Sequence, residues 1–161
     1  MNTPDSPYFR LSAVLAAAAV LILLVVVSQR QNDRGRDRDV YKVVEQMPLF
    51  PGAACGDLEQ YADRKPCADQ AMLEYIYHHI RYPKEAHRKG TQGTAVVSFI
   101  VEPHGVMSNV KVVRDPGDGL GQAALKVARR MKAENTRWEP GLHKGKPVAV
   151  QFNLPVRFRL E

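Results

Sequence analysis

A chain of 161 residues leaves room for one ordinary domain once its single long apolar segment is set aside, so one hydrophobic core is expected and a multidomain architecture is excluded. The formal net charge of +6 belongs to the residues beyond that segment, because the first 28 carry only Asp5 and Arg10. Such a balance suits anionic partners such as lipid head groups, cell-wall polymer or acidic protein segments. The basic residues are too scattered, and too little interleaved with aromatics, to form a nucleic-acid stripe.

After a tail of residues 1–10, Leu11 to Val27 is uncharged, with Ser12 its one polar interruption. Extended to Tyr8 and Ser28 it makes about 21 residues, or roughly 31 Å of helix at ~1.5 Å per residue, which just spans a bilayer. Residues 11–28 are therefore expected to be a transmembrane anchor, with Tyr8 and Phe9 at the interface and Arg10 and Arg30 snorkelling at its ends. A cleaved signal peptide is the competing reading, since Val26-x-Ser28 is a tolerable cleavage pattern. Against it, the run exceeds the usual ~7–15 apolar residues and Asp5 opposes the one preceding basic residue. Arg30, Arg34, Arg36 and Arg38 follow the segment, which by the positive-inside bias would keep the C-terminal side in the cytoplasm. They belong to residues 29–39, where Asp33, Asp37 and Asp39 interleave with arginine and nothing apolar can be buried, as in a solvated linker.

Residues 40–68 form an extension. Val40 to Val44 reads as a short edge strand, ended by the Met47-Pro48-Leu49-Phe50-Pro51-Gly52 loop, whose prolines forbid continued pairing. Cys55 and Cys67 are separated by residues that include Gly56, Pro66 and several charges, which places both on one exposed loop. A disulfide is the natural pairing if the compartment oxidises and would stabilise by about 3 kcal/mol. Two free thiols are the alternative; a zinc site lacks both the short ligand spacing and a second Cys or His pair.

Asp69 is placed to cap a helix in which Met72, Leu73, Ile76 and Ile80 repeat at helical spacing, with Tyr82-Pro83 as its stop. A shorter helical turn over residues 84–89 ends at Gly90, a C-cap glycine. Residues 94–101 and 106–113 are β-rich runs joined by Glu102-Pro103-His104-Gly105, which predicts an antiparallel hairpin. Leu120, Ala124, Val127, Ala128 and Met131 mark the inner face of a further helix; Gln122, Lys126, Arg129 and Arg130 mark its outer face. From Val148 to Leu160 apolar residues alternate without a miss, giving a strand with one face in a core and one in water. Pro155 cannot donate to a ladder, so at least the second half of that strand lies at an edge. The sum is an α+β domain over residues 69–161: a small antiparallel β-sheet with two helices packed on one face, preceded by one transmembrane helix.

No constellation here points to catalysis, a cofactor or a metal. His78, His79 and His87 lack a carboxylate or cysteine to complete a metal shell. Gly117-x-Gly119 lacks the order of a dinucleotide fingerprint, and Ser98 and Ser108 lack a glycine elbow or matched base.

The short signatures Arg81-Tyr82-Pro83, Gly90-x-Gln92-Gly93, Pro103-His104-Gly105, Arg137-Trp138-Glu139-Pro140-Gly141 and Phe152-x-Leu154-Pro155 follow one another in an order that resembles the C-terminal domain of TonB proteins. The upstream phrase Val44-Glu45-x-Met47-Pro48-x-Phe50-Pro51-Gly52 shares that resemblance. It implies a periplasmic domain, held by a single-pass inner-membrane anchor, that pairs a sheet edge with the TonB box of outer-membrane TonB-dependent transporters and passes on force from ExbB/ExbD-like motor proteins. It thus sets the C-terminal side in the periplasm, against the arginine count. The implied partner-binding residues are Val148, Ala149, Val150, Gln151, Phe152 and Asn153 of the last strand, with Arg81, Tyr82 and Pro83 beside the transporter. The membrane, peptidoglycan and a second copy of the chain are further candidate partners.

Two features depart from the family pattern. Ser12 is followed four residues later by Ala16, where TonB anchors that engage the motor carry histidine. The linker from Ser28 to Asp39 reaches about 40 Å at most when extended, where the family has a long Pro-rich spacer. Both favour the alternative, a non-energised structural or sensory envelope protein of the same fold. On that reading Lys146, Pro155, Arg157 and Arg159 simply protect an edge.

Overall fold

A computed structural model describes residues 39–52, 55–134 and 136–160; the expected anchor at 11–28, and the linker up to residue 38, lie outside them. Among the described residues no helix is long and apolar enough to cross a membrane. The elements in chain order are β1 (Val40–Tyr41), α1 (Tyr61–His79), α2 (Lys84–Lys89), β2 (Gly93–Val101), β3 (Met107–Arg114), α3 (Leu120–Ala133), β4 (Gly141–His143) and β5 (Lys146–Phe158).

The strand order is β1-β5-β2-β3, with β4 also paired to β5. β2 pairs antiparallel with β3 and with β5, whereas β1 runs parallel to β5, Val40 opposite Ala149 and Tyr41 opposite Val150. The sheet is therefore mixed, not wholly antiparallel as expected. The strands β2 and β3 are joined by a tight turn that forces opposite directions, but three helices, the β2–β3 hairpin and β4 separate β1 from β5, and that long connection leaves either direction open.

Alternation places the core. Opposite one another on β2 and β5, Ala95 and Val156, Val97 and Leu154, and Phe99 and Phe152 share the inner face. Met72 and Ile76 of α1 join them, as do Leu120, Ala124, Val127, Ala128 and Met131 of α3, in one buried cluster. The face of α3 expected from its spacing is the buried one. Asp115 secures its first turn, its Oδ1 accepting from the N–H groups of Gly117 and Gly121 at 2.9 Å each.

Helix α1 begins at Tyr61, eight residues before the expected start at Asp69. Asp69 lies inside the helix and holds Lys65 Nζ at 2.6 Å, an i,i+4 pair that supports the early turns. Pro66 stands in the helix interior, where its missing N–H forfeits one ladder bond, and this is why the stretch reads as a loop. Cys55 and Cys67 are bonded, Cα to Cα 5.7 Å, but they do not share an exposed loop: Cys67 is in α1 and Cys55 is buried against it. Leu73, expected inside, is 48% exposed; the buried stripe of α1 is Ala68, Met72 and Ile76.

The β2–β3 turn closes on Gly105 at φ 80°, and its carbonyl accepts from Trp138 N–H at 3.0 Å. A Cβ there would run into the Trp138 carbonyl, so the position requires glycine twice over.

Candidate partner-binding edge

Strand β5 is flanked unevenly along its length. Val148 pairs with Gly141 of β4, and Ala149 and Val150 pair with β1. From Gln151 to Phe158 the described partner is β2 alone, and no strand lies on the opposite flank among the described residues. The structure thus separates the six strand residues singled out by sequence. Val148, Ala149 and Val150 are taken up by the chain's own strands, while Gln151, Phe152 and Asn153 open a free stretch that continues to Phe158.

Pro155 fixes which backbone groups that stretch presents. A proline tolerated within a ladder turns its nitrogen away from the partner strand, and Pro155 lies opposite Val96 of β2. Residues of one strand alternate in direction in an antiparallel pair, so Gln151, Asn153 and Arg157 share the outward orientation with Pro155. Three N–H groups and four carbonyls therefore face the open flank. On the sheet's outer face Gln151 and Asn153 hold each other, Nε2 to Oδ1 at 3.4 Å, while Arg157 and Arg159 are exposed without a carboxylate partner among the described residues.

Phe152 turns the other way. It is half-buried, stacked on Phe99 at 5.4 Å and edge-on to Trp138 at 5.2 Å, so it anchors the strand and is not presented at the edge. Phe50 completes this aromatic group against Trp138 at 5.4 Å, tying the 46–50 segment to the sheet.

Arg81, Tyr82 and Pro83 stand at the far end of the same strand. Tyr82 is edge-on to Phe158 at 5.5 Å, and its hydroxyl donates to the Thr91 carbonyl at 2.6 Å. Pro83 is the N-cap of α2. The Arg81 guanidinium donates to the carbonyls of Ile80 and His78 at 2.9 and 3.4 Å, satisfying the exposed end of α1. The structure therefore brings Tyr82 to the Phe158 end of β5 and leaves Val148 at the opposite end.

Hairpin β4–β5 was not anticipated from the sequence. Lys144 and Gly145 both have positive φ, 51° and 71°, in a two-residue turn, and the Lys-Gly pair before an alternating strand was the available signal. β4 itself is too short for any period to show. Glu45 clamps this turn by accepting from Lys144 N–H at 3.1 Å and pairing with His143 Nδ1 at 3.2 Å. Its carboxyl is held below its ordinary value, first by its own backbone amide. The three histidines considered for a metal are apart in role: His79 Nδ1 meets the Tyr75 carbonyl, His87 lies edge-on to Tyr82, and His78 is exposed.

Residues 78–160, more than half of the chain, match the family model described as Gram-negative bacterial TonB protein C-terminal. The chain belongs to the TonB C-terminal family. It is 29% identical over 82 residues to Protein TonB of Vibrio cholerae serotype O1, a match that covers 50% of this chain and only 32% of that protein's length. It is similar to the solution structure of the Helicobacter pylori TonB C-terminal domain, at 23% identity and a TM-score of 0.47, over 69% of this chain and 97% of that one. A shorter solution structure of the same H. pylori domain aligns at 26% identity and a TM-score of 0.38, over 55% and 89% of the two chains. The matched residues 78–160 run from the end of α1 through β5, so the edge and the Tyr82-Pro83 turn both fall within the TonB C-terminal region.

Proposed function

We propose that the protein is a TonB-type energy transducer, anchored in the inner membrane with its C-terminal domain in the periplasm. It binds outer-membrane TonB-dependent transporters by strand addition and carries force from an ExbB/ExbD-like motor. The observation that carries this reading is the unpaired flank of β5 from Gln151 to Phe158 in a chain of this family. Outward backbone groups there would supply the affinity of an added strand, and the exposed side chains beside them its selectivity. The partner-binding residues are accordingly Gln151, Asn153, Pro155 and Arg157, with Tyr82 marking the end of the track. The Cys55–Cys67 bond supports an oxidising compartment.

The test is to titrate peptides from the N-terminal segments of candidate transporters into the full-length protein while following backbone amides. Amides of residues 151–158 are expected to move. Gln151→Pro and Asn153→Pro each remove one outward donor and should weaken binding about 3- to 10-fold, with circular dichroism unchanged. The corresponding alanine changes should matter less, because the backbone carries the pairing. Binding that leaves the 151–158 amides unmoved would rule out strand addition.

A second reading, a non-energised structural or sensory envelope protein, is favoured by two features of the sequence: Ala16 stands where motor-coupled anchors carry histidine, and the linker from Ser28 to Asp39 is short. Adjacency of the gene to motor or transporter genes separates the two.

A further inference from the structure

A groove of about 890 Å³ lies between the C-terminal end of α1, the Tyr82-Pro83 turn and the outer face of α3. Its floor is apolar, formed by Pro83, Gly119, Ala123 and Val127 around the Tyr82 ring. Arg81, Lys126, Arg129 and Arg130 line its walls together with His78 and His79, against a single carboxylate, Glu134. That carboxylate is already engaged: Arg130 Nε reaches it at 2.7 Å and the Tyr75 hydroxyl donates to it at 2.5 Å.

Among the described residues, the remaining cations of the groove lack such a partner, unlike several others on the domain. Arg64, Lys65, Arg88 and Lys89 each hold a carboxylate. Lys126 and Arg129 have none among the described residues, and Arg81 is held in place by carbonyls that leave its charge uncompensated. Lys126, Arg129 and Arg130 also sit at i, i+3 and i+4 on one helix, where like charges destabilise the helix, a cost that a bound anion relieves. Neither the core nor the β5 flank uses these side chains.

We infer that this groove binds an acidic peptide segment of a partner protein. Its carboxylates would meet Arg81, Lys126 and Arg129, and an apolar side chain would rest on the floor. A concave wall of cations around an apolar floor fits a peptide better than a flat lipid surface. A nucleic acid would need a ring to stack on, and Tyr82 is committed edge-on to Phe158 and His87. The inference needs no free strand edge and stands whether or not β5 pairs with a transporter.

The experiment uses the full-length protein in detergent and a fluorescently labelled peptide of alternating Glu and Leu, with its Gln/Leu counterpart as control and phosphatidylglycerol vesicles as a separate anionic surface. Saturable binding of the Glu/Leu peptide that weakens with salt is expected. Lys126→Glu with Arg129→Glu should weaken it about tenfold or more, whereas Lys111→Glu, an exposed cation on β3, should leave it unchanged. If circular dichroism shows that the double reversal misfolds, Lys126→Gln with Arg129→Gln serves instead, and a smaller loss in the same direction is expected. Equal affinity for the Gln/Leu peptide, an unchanged Kd in the groove variants, or charge-dependent binding of vesicles but not of peptide overturns the inference.

Discussion

Tyr75 shows how one side chain on α1 fastens that helix to α3. It is half-buried against Phe50, lies over His79 at 4.2 Å, and donates to Glu134 just past the end of α3. Burial first, and then the bond to the carboxylate, push its phenol up to about 12. A folded value above the ordinary tyrosine value of about 10 means that folding favours the neutral, donating form. The Tyr75–Glu134 link therefore contributes fully below about pH 10 and is lost as pH rises through about 12. An absorbance titration of the phenolate band should show one of the six tyrosines ionising late, and Tyr75→Phe should remove that step. A late step that survives in Tyr75→Phe would assign it to another residue. From the sequence Tyr75 reads only as a residue at the border of a helix face, because its partner Glu134 lies 59 positions away.

At the level of elements, β5 was the most legible part of the chain and also the part whose surroundings were least legible. Alternation gives the inner face directly: Leu154, Val156 and Phe158 are buried, with Asn153, Pro155 and Arg157 exposed between them. Phe152→Ala should cost about 2–3 kcal/mol, below the range for a fully buried phenylalanine because the side chain is only half-buried, while Gln151→Ala should stay within roughly 0.5 kcal/mol. Chemical denaturation of the two variants reads the difference, and equal effects would mean that the inward set is the other one. What alternation cannot give is the neighbour on each side, since period reports faces and not pairing. A two-residue β1 and a three-residue β4 cover Lys146 to Val150, and neither is long enough to leave a pattern. Pro155 was the one local sign that the open flank lies in the second half of the strand. Helix α1 failed in the opposite sense. Its first two turns hold Pro66 and many polar residues, and it is the tether of Cys67 to Cys55, the Lys65–Asp69 pair and the burial of Ala68 that hold them helical.

For the whole molecule, the side of the membrane on which the domain sits turns on two opposing features of the chain. Four arginines after the expected anchor argue for the cytoplasm, and membership of the TonB C-terminal family argues for the periplasm. Cys55 and Cys67 can decide between them, because a cytosolic pool keeps such thiols reduced while an oxidising envelope lets the pair close. Closure matters to stability as well as location: a loop of this length is worth about 3 kcal/mol in the chain-entropy model, and the bond pins the loop before α1 to a helix already interrupted by Pro66. In cells quenched with acid, denatured and treated with an alkylating reagent without reductant, neither cysteine should be modified. After reduction both should be, since Cys55 is protected in the native fold by burial but not in denaturant. Alkylation of both thiols without reduction would place the domain on the reducing side, in the orientation that the arginines favour. The β5 flank would then face the cytoplasm, out of reach of any outer-membrane transporter, and the transducer reading would fall with it.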